Sequence, residues 1–155
     1  MPPGSGTQQA PRPAGRQATA AATTPPAVPP PHALSVLLVE DDESVRLTLE
    51  GVLEMDGHRI TTATTVDEAL AQLDVGHFQA VISDFQLNDD SGRTGLHVLA
   101  EATRRAPEST TILVTGYPSA QLMEAARSQP VTTTLIKPYP LEDLKAALAG
   151  QPPAD

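Results

Sequence analysis

The chain has 155 residues, no cysteine and a formal net charge of −9. That length holds one ordered domain of ordinary size, and the lack of cysteine excludes disulfide scaffolds, thiolate metal sites and thiol nucleophiles. All 19 acidic residues and 8 of the 10 basic ones lie in residues 34–155, a net −11 that repels a nucleic-acid backbone.

Residues 1–33 hold nine of the 16 prolines and almost no large apolar side chain. Such a stretch buries too little surface to offset the entropy of ordering, so a disordered Pro/Ala-rich tail or linker is expected there. Pro25, Pro26, Pro29, Pro30 and Pro31 favour a semi-extended form in its last part. Its start lacks the basic-then-apolar layout of a secretory signal, and no apolar run approaches the roughly 18 residues of a membrane span. The expected compartment is the cytoplasm, with no membrane contact.

From Leu34 onward, short apolar runs alternate with amphipathic segments. Ser35 to Val39 reads as a strand buried on both faces. Val45, Leu49, Val52 and Leu53 then form one helical stripe, closed by Gly57. Arg59 to Ala63 is a β-branched second strand. Thr65 to Glu68 fits a capping box, and Val66, Ala69, Leu70 and Leu73 form the stripe of the second helix. Ala80 to Ser83 is the third strand, ending at Asp84. A third helix carries Leu96, Leu99, Ala100 and Thr103 and stops before Pro107. Thr110 to Thr115 is the fourth strand, Ser119 to Arg127 a helix with Leu122, Met123 and Ala126 inward, and Thr132 to Ile136 the fifth strand. The last helix starts near Pro140, carries Leu141, Leu144 and Leu148, and stops at Gly150, leaving residues 151–155 as a short disordered tail.

Strict alternation with buried-type strands predicts one α/β domain over residues 34–150, a five-stranded parallel sheet with helices on both faces. Chemistry in such sheets gathers beyond the carboxyl ends of the strands. Strand 1 ends in Glu40-Asp41-Asp42, strand 3 in Asp84, strand 4 in Thr115 and strand 5 in Lys137-Pro138. Taken singly each has a structural explanation, such as a helix N-terminus, a turn, a strand hydroxyl or a surface lysine. Taken together they converge on one edge. Crowded carboxylates call for a cation, and all-oxygen ligation suits Mg²⁺. A metal-held carboxylate facing a hydroxyl and a lysine is a landing site for a phosphoryl group. The four histidines, His32, His58, His77 and His97, share no i,i+4 spacing that would make a metal site.

Val39-Glu40-Asp41-Asp42, Asp84 with Leu87, Gly95-Leu96, Thr115-Gly116 and Lys137-Pro138, in that order, resemble the receiver domain of two-component response regulators. The resemblance spans about residues 34–150. It implies a flavodoxin-like (βα)5 fold in which Asp84 accepts phosphate from a histidine kinase. Mg²⁺ would be held by Glu40, Asp41, Asp84 and the backbone carbonyl of Gln86, with Thr115 and Lys137 on the phosphoryl group and a cis Lys137–Pro138 peptide. The implied protein catalyses only its own phosphoryl gain and loss, so it is not an enzyme acting on a separate substrate.

Three departures from the family pattern bear on function. The loop after Asp84 is about three residues longer than usual, with Asn88 where proline is typical, a style similar to receivers of hybrid histidine kinases. Thr134 replaces the usual switch aromatic, leaving Tyr117 and Tyr139 as candidate substitutes. Only Gln151 to Asp155 follow the last helix, so output is expected through a downstream protein target, with the oligomeric state open. Two other classes compete: a phosphorylation-independent docking module, and a phosphohydrolase with an aspartyl nucleophile. The full set of Glu40, Asp41, Asp84, Thr115 and Lys137 counts against the first. Gln86, where hydrolases of that type often place a general acid, counts against the second.

Overall fold

A computed structural model describes residues 33–88, 90–129 and 131–150. The tails expected over residues 1–33 and 151–155 lie outside them, apart from residue 33. In chain order the described residues form β1 (Ser35–Val39), α1 (Glu43–Met55), β2 (Arg59–Ala63), α2 (Val66–Val75) and β3 (Ala80–Asp84). They continue with α3 (Gly95–Arg105), β4 (Thr110–Thr115), α4 (Ala120–Ser128), β5 (Thr133–Ile136) and α5 (Leu141–Leu148). The strands make one parallel sheet in the order β2-β1-β3-β4-β5. This is the doubly wound arrangement expected from the alternation, and the flavodoxin-like fold that the resemblance implies. Its strand order reverses between β1 and β3.

The two-residue period of a strand sorts the core into two layers. Leu37 and Val39 of β1, Val81 of β3 and Leu113 of β4 point to the layer filled by α2, α3 and α4, through Val66, Leu99 and Leu122. Val36, Leu38, Ile82, Ile112 and Val114 point to the other, filled by Leu53 of α1 and Leu144, Ala147 and Leu148 of α5. Burial on both faces explains why β1 reads as an unbroken apolar run.

Helix ends follow local chemistry. Asp42 caps α1 by accepting the Val45 N–H at 3.0 Å. At its other end the Gly57 N–H reaches the Glu54 carbonyl and the His58 N–H the Leu53 carbonyl, with Gly57 at φ 96°. This Schellman turn needs the left-handed backbone that glycine supplies. Thr65 caps α2, but Glu68 reaches back to the Thr64 N–H and hydroxyl rather than to Thr65, so the expected capping box is only half made. A complete box stands instead at α3, where Thr94 caps and His97 Nδ1 accepts the Thr94 N–H.

Three stripes are corrected. In α1 only Leu53 is fully buried, and Val45, in the first turn, stands open at a cleft. In α3 the buried arc is Gly95, Val98, Leu99 and Ala102 with Leu96, while Ala100 and Thr103 are half-buried. The helix is rotated by close docking of Gly95 on the end of β3. There a Cβ would lie 2.7 Å from Ser83 Oγ and inside contact distance of the Asp84 carbonyl oxygen. In α4, Met123 is half-buried and Leu122 and Ala126 carry the packing. β5 begins at Thr133, one residue later than expected; Thr132, just before it, accepts the Thr111 N–H on its hydroxyl at 3.0 Å.

Candidate functional site

Four loops leave the carboxyl edge of the sheet at its reversal point and bring the strand-end residues together. Glu40 and Asp41 follow β1, Asp84 closes β3, Thr115 closes β4, and Lys137 follows β5 before a cis peptide to Pro138. One carboxylate oxygen from each of Glu40, Asp41 and Asp84 lies within 4.8 Å of the others. Lys137 Nζ stands 3.4 Å from Asp84 Oδ2 and 3.9 Å from Glu40 Oε1. Thr115 is buried beside them, its Oγ1 accepting the Tyr117 N–H at 3.2 Å.

Backbone geometry fixes these groups. Glu40 Oε2 accepts the Asp42 N–H at 3.2 Å, and the Glu40 carbonyl accepts from Arg46 Nη1 at 3.1 Å. The Phe85 N–H reaches the Val114 carbonyl and the Gly95 N–H the Phe85 carbonyl, so the chain leaving Asp84 is tied on both sides. The Lys137 N–H donates to the Thr115 carbonyl at 2.8 Å, which holds the lysine stem beside β4.

Two acids of the cluster are driven toward the neutral form. Burial pushes the Glu40 carboxyl up to about 7; the charges of Asp84 and Asp41 add to this, while the Asp42 N–H and Lys137 oppose it. Burial also raises Asp84, with Lys137 pulling back and Asp41 adding. Three carboxylates this close, with no nitrogen or sulfur ligand among them, are the donor set of a hard divalent cation. The site opens into a cleft of about 600 Å³ lined by Asp41, Asp84, Gln86, Arg93 and Lys137 among others. A second cleft of about 510 Å³ shares Asp84, Gln86 and Lys137 and adds Thr115, Tyr117 and Pro138.

These residues and this sheet match a known family. A family model for the response regulator receiver domain covers residues 36–149. The chain is a response regulator receiver domain. Similar proteins include the alginate biosynthesis transcriptional regulatory protein AlgB of Pseudomonas aeruginosa, 29% identical over 116 residues, which are 75% of this chain and 25% of AlgB. The chain thus spans about a quarter of the length of that curated relative. Among solved structures, a CheY-like receiver domain protein from Methanospirillum hungatei JF-1 superposes with TM-score 0.68 at 26% identity, covering 76% of this chain and 94% of that one. A Burkholderia pseudomallei response regulator with a phosphorylated aspartic acid, a calcium ion and citrate gives TM-score 0.67 at 29% identity over 74% of this chain and 65% of that one.

In this receiver the two candidate aromatics stand differently. Tyr117 is 79% exposed at the rim of the second cleft. Tyr139 packs on the α1/α5 layer, and burial, with Glu40 and Asp84 nearby, raises its hydroxyl. Thr134, in the place of the usual aromatic, is half-buried in β5. Two contacts escaped the sequence reading. The Asn88 N–H donates to Asp41 Oδ2 at 3.1 Å, and Arg93 reaches Asp67 across from α2. Among the described residues no helix is long and apolar enough to cross a membrane.

Proposed function

We propose that the receiver is a phosphoacceptor switch whose Asp84 takes a phosphoryl group from the phosphohistidine of a histidine kinase, free-standing or part of a hybrid sensor. The observation that carries this reading is the place of the Asp84 carboxylate, 3.4 Å from the Lys137 ammonium and inside the acidic cluster with Glu40 and Asp41. An Asp84 oxygen attacks phosphorus, the phosphorus–nitrogen bond breaks, and the imidazole leaves with the bonding pair and takes up a proton. Glu40, Asp41, Asp84 and the Gln86 carbonyl would hold Mg²⁺, which when bound would supply Lewis-acid neutralisation of the phosphoryl oxygens. Lys137 pairs with one of those oxygens, and the Thr115 hydroxyl, now serving the Tyr117 N–H, turns to another.

The chain's own chemistry ends with gain and loss of that phosphate. Its output is a protein contact whose surface changes with phosphorylation. The reaction is cytoplasmic, where a kinase draws on ATP. The test is labelling with acetyl phosphate followed by intact mass. Wild type is expected to gain one phosphate with Mg²⁺ and none with a chelator, and Asp84→Asn none under either condition. Labelling of Asp84→Asn at the wild-type level refutes the assignment.

A further inference from the structure

The connection from β3 to α3 is held on a carboxylate at each side. On its β3 side the Asn88 N–H sits 3.1 Å from Asp41 Oδ2. On its α3 side Arg93 Nη2 sits 2.5 Å from Asp67 Oδ1, in the first turn of α2, while Arg93 Nε donates to Ser91 Oγ at 2.7 Å. Arg93 enters α3 one residue before its Thr94 cap, so its position is set by the helix start. It also lines the same cleft as Asp41 and Asp84.

Resting on the divalent-ion reading of the acidic cluster, we infer that the Arg93–Asp67 pair is a positioning device for that site. It holds the connection so that the Asn88 N–H stays on Oδ2 of Asp41 and keeps that carboxylate in place beside Glu40 and Asp84. Arg93 is a positioning residue: it acts through Asn88 on Asp41. Asp67 is 81% exposed and Arg93 about one-third exposed at the side chain, so the pair is a modest lever and is weakened by salt.

Charge gives this inference a sign. Removing a cation from a cleft lined by four acidic residues tightens Mg²⁺ binding by Coulomb's law alone. Loss of positioning weakens it. Amide hydrogen exchange at Asn88, followed by NMR in metal-free protein, reads the contact directly, and calorimetric titration with Mg²⁺ at low salt reads its consequence. Arg93→Ala is expected to speed Asn88 exchange and to weaken Mg²⁺ binding, each by about threefold. Asp67→Asn, at the more exposed partner, is expected to speed the same exchange. The exchanged pair, Asp67→Arg with Arg93→Asp, rebuilds the ion pair and is expected to recover wild-type Asn88 exchange; exchange that stays fast overturns the inference. Unchanged Asn88 exchange in Arg93→Ala, or Mg²⁺ affinity equal to or tighter than wild type, overturns the inference. A wild type that binds no Mg²⁺, with Asn88 exchange still dependent on Arg93, overturns the divalent-ion reading and leaves the contact standing.

Discussion

Glu40 should make the metal-free receiver less stable as the solution becomes more alkaline. Glu40 is 4% exposed and its pKa is pushed to about 7 from an ordinary 4.5, by burial first and then by Asp84 and Asp41. A carboxyl whose folded-state pKa is raised binds its proton more tightly when folded. Its favourable contribution is complete below about pH 4.5 and is lost as pH climbs through 7. The displacement corresponds to about 3 kcal/mol. One pair of charges 4.8 Å apart at an effective dielectric near 20 repels by roughly 3 kcal/mol, the same scale. Glu40→Gln removes the charge and keeps an oxygen to accept the Asp42 N–H. Urea unfolding in chelator should show the variant equal to wild type near pH 4.5 and more stable by about 3 kcal/mol at pH 8. Saturating Mg²⁺ should reverse the order at pH 8, because the ionised acid then has a partner. A stability difference that stays flat from pH 5 to 8 in chelator would refute the reasoning, since Glu40 would then ionise as an ordinary surface acid.

Two further outcomes are expected. Mg²⁺ at about ten times its dissociation constant should stabilise the fold by about 1.4 kcal/mol and raise the melting temperature by about 5 °C; no shift in a melting scan would mean the acids do not share an ion. Gly95→Ala should destabilise by about 3 kcal/mol in denaturant unfolding, because the new methyl meets the Asp84 carbonyl and Ser83 Oγ, and it should slow labelling of Asp84; a neutral effect on both would show that α3 slides away from β3 at no cost.

The strands were legible because each is a run with one meaning. Arg59 to Ala63 and Thr110 to Thr115 are bounded by a glycine turn and a proline loop, and the structure places β2 and β4 at those residues. The convergence of Glu40, Asp41, Asp84, Thr115 and Lys137 was also legible, because parallel topology sends every strand's carboxyl end to one edge. Helix rotation was not. The stripe of α3 shares its residues with a neighbouring stripe one position away, and Gly95 selects between them through a backbone approach that no periodicity encodes. The Glu68 box was misplaced and the His97 cap was missed for a related reason. A capping box depends on where the loop enters the helix: at α2 the acid finds Thr64 instead of Thr65, and at α3 a histidine nitrogen serves as the acceptor.

The least legible contacts pair residues far apart in sequence through surface groups: Asn88 with Asp41, and Arg93 with Asp67. Neither belongs to an apolar pattern; the first ties the connection after β3 to Asp41 of the acidic cluster, and the second ties it to α2. That placement has a physical reason. The layers beneath are filled by fully buried side chains such as Leu37, Leu38, Ile82, Ile112, Leu113 and Leu144, so the sheet can carry an edge where buried carboxylates repel one another. Such an edge cannot fix its own side chains by packing. Its order has to come from donors brought in by loops, as the Asn88 amide and the Lys137 ammonium are here. A cation entering this edge therefore meets carboxylates already oriented by hydrogen bonds, and their repulsion, which costs stability in the empty fold, becomes attraction for the ion.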